Sequence, residues 1–131
     1  MIRATQAAWR PLRLLLLVLM VNVSAISPIN PEKLNAITDF QIIAGAWRGT
    51  LTGPRGTGPY ELSINENGSW TAAGFGLSFK GSASLVNGKA RFFSQTTNRA
   101  GTWTLTERDG HKRLLVLSDD QRSWGELVRT E

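Results

Sequence analysis

From Trp47 onward, apolar and polar residues alternate in short runs separated by turn signals. This is the pattern of antiparallel strands with one face covered and one face wet. Trp47–Thr52 reads as a first strand, ended by the glycine- and proline-rich stretch Gly53–Pro59. Tyr60–Ile64 sets Tyr, Leu and Ile against Glu and Ser, and Asn65–Gly68 turns the chain into Ser69–Ala73. Leu77–Val86 places Phe79, Gly81, Ala83 and Leu85 on one face. Thr102–Glu107, Lys112–Ser118 and Arg122–Arg129 complete the series.

The turns also predict register. Asn87-Gly88 is a strong hairpin signal, because a type I′ turn needs positive φ at both central positions. A two-residue loop there sets Val86 opposite Lys89, Leu85 opposite Ala90 and Ala83 opposite Phe92. Ala90, Phe92 and Ser94 then face inward and Phe93 outward. A two-residue loop at Asp109-Gly110 aligns Leu105 with Leu114 and Trp103 with Val116. A bulged loop would instead turn Leu115 and Leu117 inward, and the all-apolar run Leu114–Leu117 permits both. Counting the strand that begins at Lys89, there are eight, and all are joined by short connections. Short connections imply antiparallel neighbours, and a meander that closes on itself has no exposed edge. The predicted fold is all-β: an eight-stranded antiparallel up-and-down barrel. Small inward residues (Gly81, Ala83, Ala90) among large ones fit the taper of a small barrel.

Ahead of the barrel the pattern changes. Pro28 and Pro31 make Ile26–Pro31 an extended lead. From Pro31 to Ala44 the spacing of Leu34, Ile37 and Phe40 or Gln41 predicts a short helix, with Gly45 as its stop. Before that, Arg3, Arg10 and Arg13 precede the apolar run Leu14–Val21, and Val23-Ser24-Ala25 supplies small residues for cleavage. This is the order of a secretory signal peptide, and the run is shorter than the ~20 residues that cross a bilayer. The expected organisation is a signal peptide over 1–25, a lead and short helix over 26–44, and the barrel over 45–131. The protein is expected to be exported, periplasmic or secreted, with no membrane span after cleavage.

Composition narrows the chemistry. The chain of 131 residues has no Cys, which excludes disulfides, thiolate metal sites and a Cys nucleophile. Its one His, His111, makes a Ser-His-Asp triad or a His-rich metal site hard to build. The formal net charge of +5 falls to +2 once the three signal-peptide arginines are removed. The remaining cations are scattered, with Lys112-Arg113 the longest basic run, so no nucleic-acid stripe is present.

The segment Asn35–Trp47, ending in Gly45-Ala46-Trp47, resembles the opening of the lipocalins and the wider calycin group. That resemblance implies a short helical turn leading into the first strand, with Trp47 plugging the closed end of the barrel. It also implies a basic residue near the end of the last strand packed over that Trp by a cation–π contact. Arg129 is the first candidate and Arg122 the second. The strands are shorter than a typical lipocalin's, and the large ligand-gating loop has no counterpart. In size the chain is similar to the bacterial alkaline-metalloprotease inhibitors, secreted eight-stranded barrels with the same Gly-x-Trp motif. Their N-terminal extension enters the protease cleft, and Ile26–Pro31 is similar in position. They usually carry a disulfide, which this chain lacks.

Trp70, Phe79, Phe92 and Trp103 are the candidate ligand-binding residues, on the walls of an apolar cavity; the competing reading is a filled core. Tyr60 either points its hydroxyl into that cavity or sits at the rim. Asp119-Asp120 reads as a turn, since no calcium-loop ladder follows it. Glu61, Glu66 and Glu107 are spaced as exposed strand or turn residues. Gly53–Gly58 lacks the Lys-Ser/Thr and helix of a phosphate loop and reads as a flexible loop at a barrel mouth. Asn67-Gly68-Ser69 satisfies a glycosylation sequon and also fits a tight turn. No cofactor or metal site is called for. The expected function is a non-enzymatic, lipocalin-like binding domain for a small apolar ligand. The alternative is a protein-interaction module, such as a protease inhibitor acting through the arm 26–31.

Overall fold

The computed structural model describes residues 32–130. Residues 1–25, expected to be a signal peptide, and the arm 26–31 lie outside the described residues. Nine strands form one sheet: β1 (Lys33–Asn35), β2 (Gly45–Gly53), β3 (Gly56–Ile64), β4 (Ser69–Gly74), β5 (Leu77–Val86), β6 (Lys89–Ser94), β7 (Arg99–Arg108), β8 (His111–Ser118) and β9 (Trp124–Arg129). Strands β2 to β9 pair with their neighbours in sequence, and β9 returns to pair antiparallel with β2, closing an eight-stranded barrel. Among the described residues no helix is long and apolar enough to cross a membrane.

Both hairpin registers follow from their turns. Asn87 and Gly88 have φ of 53° and 79°, Asp109 and Gly110 have 54° and 79°, and the strands pair up to each turn. Leu85 therefore faces Ala90, Ala83 faces Phe92, Leu105 faces Leu114 and Trp103 faces Val116. Leu114 and Val116 are buried while Leu117 is 45 % exposed, so the apolar run of β8 turns its even-numbered residues inward. Phe93 is on the outside.

Two stretches differ from the sequence expectation. Gly53–Gly58 is not a loose loop: β2 and β3 pair out to Gly53 and Gly56, leaving only Pro54-Arg55 at the tip. The hydroxyls of Thr52 and Thr57 bridge this hairpin at 2.7 Å. The helical segment within 31–44 shrinks to a single 3-10 turn, Phe40–Ile42, capped by the Asp39 carboxylate. Lys33–Asn35 is a strand instead, because β7 runs past the end of its pairing with β6 at Ala90–Trp103. The exposed edge at Leu105–Glu107 is covered by β1, as an unpaired edge requires. Asn35 donates to the Glu107 carboxylate at 2.9 Å and Thr106 to that of Glu32 at 2.8 Å, fixing the strand in place.

Part of the interior is packed by a simple device: three of the inward aromatics stand opposite glycine on a neighbouring strand. Tyr60 faces Gly49 and Gly74, Trp70 faces Gly81, and Phe92 faces Gly101. A Cβ on Gly81 would lie 2.7 Å from the Trp70 ring and 1.9 Å from the Phe93 carbonyl; one on Gly101 would lie 2.3 Å from the Phe92 ring. The missing side chains let the rings lie across the narrow barrel at crystal-like density.

Candidate functional site

The two ends of the barrel are built differently. One end is sealed. Trp47 is 1 % exposed and donates its indole N–H to the Ile43 carbonyl at 2.8 Å. The Arg129 guanidinium lies 4.5 Å above the Trp47 ring and donates to the carbonyls of Ala44 and Ile42. One cation thus ties the last strand, the plug and the 3-10 turn together, and the carbonyls left free where that turn ends gain a donor. Arg122 lies at the other end, in the turn before β9. Ile37 and Ile43 complete the seal, and the Ile37 amide bonds to the Gly88 carbonyl at 2.8 Å.

The other end is open. A cavity of about 380 Å³ sits between the Pro54-Arg55 and Phe75-Gly76 hairpin tips and the loops before β7 and β9. Trp70, Phe79, Phe92 and Val116 form its apolar lower wall, and Ser94, Ser118 and Ser123 bring hydroxyls to its upper part. Trp103 does not line this cavity. It lies deeper, stacked on Phe92 at 5.3 Å between centroids and edge-on to Trp70 at 5.8 Å. Three of the four candidate ligand-binding aromatics therefore line the cavity, and the fourth supports them. A second depression, about 590 Å³, involves the outward-facing Ala46, Arg48, Glu61, Ser63, Thr71 and Ala73, so it lies on the outside of the wall.

Tyr60 is the buried phenol of the open end, beside the buried Ser94 and Ser118. It is 9 % exposed, packs 6.4 Å from Phe79, lines the cavity and makes no side-chain hydrogen bond with another described residue. Burial pushes its pKa up to about 12, because a phenolate would lose its hydration there. The neutral phenol is therefore favoured in the folded state. The stability this confers is complete below pH 10 and is lost as pH rises through about 12. Two pH units correspond to roughly 2–3 kcal/mol. Tyr60 is the chain's single tyrosine, so phenolate absorbance reports this group alone. The native protein should titrate near 12 and the denatured chain near 10; a native midpoint near 10 would show an exposed phenol.

The charged groups around the mouth are unevenly satisfied. Arg91 holds Asp119 through two hydrogen bonds of 2.6 and 2.7 Å, which lowers the Asp119 pKa. Asp120 accepts from the Ser118 hydroxyl and the Arg122 amide and is likewise lowered. Asp119-Asp120 is thus a self-satisfied turn. Arg55, at a hairpin tip, and Arg99, on the inward-facing parity of β7, line the cavity and form no ion pair with another described residue. Sequence reading passed over both. Arg99 falls before Thr102, the first strand residue that the alternation predicts, yet the Phe92–Gly101 pairing puts it on the inner face.

Phe75, like Asn98 and Gln121, holds left-handed backbone at the rim. It has φ of 56°, a left-handed conformation that costs a non-glycine residue about 1–2 kcal/mol. Its ring lies against Gly58 and on the cavity wall. Asn67 accepts hydrogen bonds from the Ser69 amide and hydroxyl, so the sequon lies in a tight turn at the sealed end. Among the described residues no three acidic or histidine side chains converge as a metal site requires. In comparisons with known proteins, no family model, curated protein or solved structure matches the chain.

Proposed function

We propose that this chain is an exported, lipocalin-like binding domain that holds a small apolar ligand in its barrel mouth without chemical turnover. The observation that carries this reading is the one-sided interior. The barrel is filled and sealed around Trp47, yet at the other end it keeps a cavity of about 380 Å³ over Trp70, Phe79 and Phe92. Small-molecule sites have this size and this mostly apolar wall with a few polar groups. A closed barrel is also rigid, so little conformational freedom is lost when a ligand enters. The Gly45-Ala46-Trp47 motif and the cation over Trp47 support the lipocalin-like description, and the run Leu14–Val21 with its basic flank supports export.

Native mass spectrometry of the protein recovered from an exporting host tests the reading. The mature chain should begin at Ile26 and carry an extra mass that is lost on denaturation. Thr97 lies on an exposed loop at the cavity, so Thr97→Trp should fold normally and block the mouth. That variant should travel without the extra mass, and deletion of 26–30 should leave the mass in place. A bare chain that also fails to bind decanol would overturn the reading.

A further inference from the structure

We propose that the open end of the barrel is a docking face for an anionic lipid bilayer, with Trp124, Leu117 and Leu77 entering the interface and Arg55, Arg99 and Arg122 against the headgroups. Seating uses only the rim, so it does not depend on what the cavity behind it holds.

The rim carries large apolar groups in the open. Leu77 and Trp124 are 47 % and 52 % exposed. Leu77 begins β5 directly after the Phe75-Gly76 tip. Trp124 begins β9 opposite Thr52, close to the Pro54-Arg55 tip, and pairs with the exposed Leu117 on its other side. Trp suits the boundary between acyl chains and headgroups, because its ring is apolar and its N–H is polar. The β4–β5 turn differs from its counterparts. Phe75-Gly76 has φ of 56° and 71°, the same left-handed pair as Asn87-Gly88 and Asp109-Gly110 at the sealed end. Those two turns begin with polar residues that tolerate this backbone, whereas this one begins with Phe. An aromatic ring is thus kept at the rim against local backbone preference.

The excess positive charge lies at the same end. Arg55, Arg99 and Arg122 form no ion pair with another described residue. The acids beside them are engaged: Asp119 by the Arg91 guanidinium, and Asp120 by the Ser118 hydroxyl and the Arg122 amide. Asp120 feels both Arg99 and Arg122, and one carboxylate offsets only one of the three cations. Elsewhere the described charges nearly balance. Glu61 and Glu126 pair with Arg48 and Arg113 along the wall. At the sealed end Glu32, Asp39, Glu66, Glu107 and Asp109 offset Lys33, Lys89, Arg108, Lys112 and Arg129 one for one. The open end is therefore complementary to a negative surface. Its three arginines stand on separate elements: the β2–β3 tip, the start of β7 and the loop before β9. A bilayer meets such a ring at every point, because lipids can gather under each cation, and arginine stems lie along apolar surface with their heads in the headgroup layer.

The test is sedimentation of the protein recovered from an exporting host with vesicles of phosphatidylcholine alone and with phosphatidylglycerol added, at low and at high salt. Wild type should bind the anionic vesicles at least about tenfold more tightly than the neutral ones, and salt should weaken the binding. Arg55→Gln/Arg99→Gln/Arg122→Gln should weaken it by at least about tenfold, and Trp124→Gln several-fold. Acyl-brominated lipids should quench wild-type tryptophan emission and leave that of Trp124→Gln largely unquenched. Lys33→Gln/Lys89→Gln/Lys112→Gln removes the same charge from the sealed end and should bind like wild type. All the substituted residues are exposed, so each variant should keep the wild-type thermal midpoint. Equal weakening by the sealed-end variant would reduce the binding to net charge and overturn the docking face. Sedimentation that no rim variant changes would assign it to another part of the chain, and absence of sedimentation would overturn membrane docking outright. Dimerisation in analytical ultracentrifugation that Trp124→Gln abolishes, without vesicle binding, would make the face a contact between copies of the chain and overturn the lipid assignment.

Discussion

Trp47→Ala is expected to lower unfolding stability by about 3–5 kcal/mol, the range for removing a large buried aromatic. Trp47 is 1 % exposed, and three interactions converge on it: its own N–H to Ile43, the Arg129 cation above its ring, and the packing of Ile37 and Ile43 around the seal. The alanine variant loses the ring, leaves a void and removes the surface over which Arg129 is held. A domain of about a hundred residues has only about 5–15 kcal/mol in total, so the variant should sit near the limit of folding. Urea unfolding would show a midpoint lower by roughly 1–3 M at an unchanged slope. Arg129→Gln should cost less, about 1–2 kcal/mol, because it removes the cation–π contact and leaves the plug in place. A loss below 1 kcal/mol for Trp47→Ala would mean that the closed end is not sealed by this residue.

Trp103→Ala should cost a similar 3–5 kcal/mol, with a different functional consequence. Trp103 is 2 % exposed and lies beneath the cavity floor, stacked on Phe92 and edge-on to Trp70. Such aromatic pairs add about 0.5–1.5 kcal/mol each beyond their buried area. Its removal should let Phe92 and Trp70 relax downward and deepen the mouth. The expected outcome is a large drop in the urea midpoint together with a shift in preference toward alcohols longer than decanol. Loss of decanol binding with an unchanged midpoint would instead make Trp103 a wall residue in direct contact with ligand.

Strand order, the register of the Asn87-Gly88 hairpin and the inward set of β5 to β7 are legible in the chain because they depend on local chemistry. Asn87-Gly88 adopts left-handed conformations that few other residue pairs allow, so its two-residue turn leaves one register; at Asp109-Gly110 the all-apolar run Leu114–Leu117 permits two, and the structure takes the two-residue one. Period-two alternation then assigns a face to each residue, which is how Phe92, Trp103 and Leu105 can be placed before any coordinates are known. The Gly45-Ala46-Trp47 motif and a basic residue near the end of the last strand are equally visible.

The departures all come from contacts between distant residues. Lys33–Asn35 has helical spacing but becomes a strand, because β7 outruns β6 and its edge needs a partner some seventy positions away in the chain. Pro54-Arg55 closes a long hairpin because β9 holds β2 out to Thr52 and the Thr52 and Thr57 hydroxyls bridge it, a constraint absent from the Gly/Pro-rich sequence itself. Among the candidate aromatics, one alternation assigns the same inward face to Phe92 and Trp103. Depth along the barrel axis separates them, and depth depends on how the strands are staggered on closure.

Taken alone, the sequence determined the strand pattern, the Asn87-Gly88 register and the Gly-x-Trp and arginine pair, since each is carried by residues whose local preference is strong; the register at Asp109-Gly110 came from the structure. The tertiary structure decided where the interior is full and where it is open. It also decided that Tyr60 lies buried on the cavity wall, and that Arg55 and Arg99 meet over one cavity. Those outcomes depend on the way strands far apart in the chain stagger around a closed barrel, and no local preference encodes that stagger.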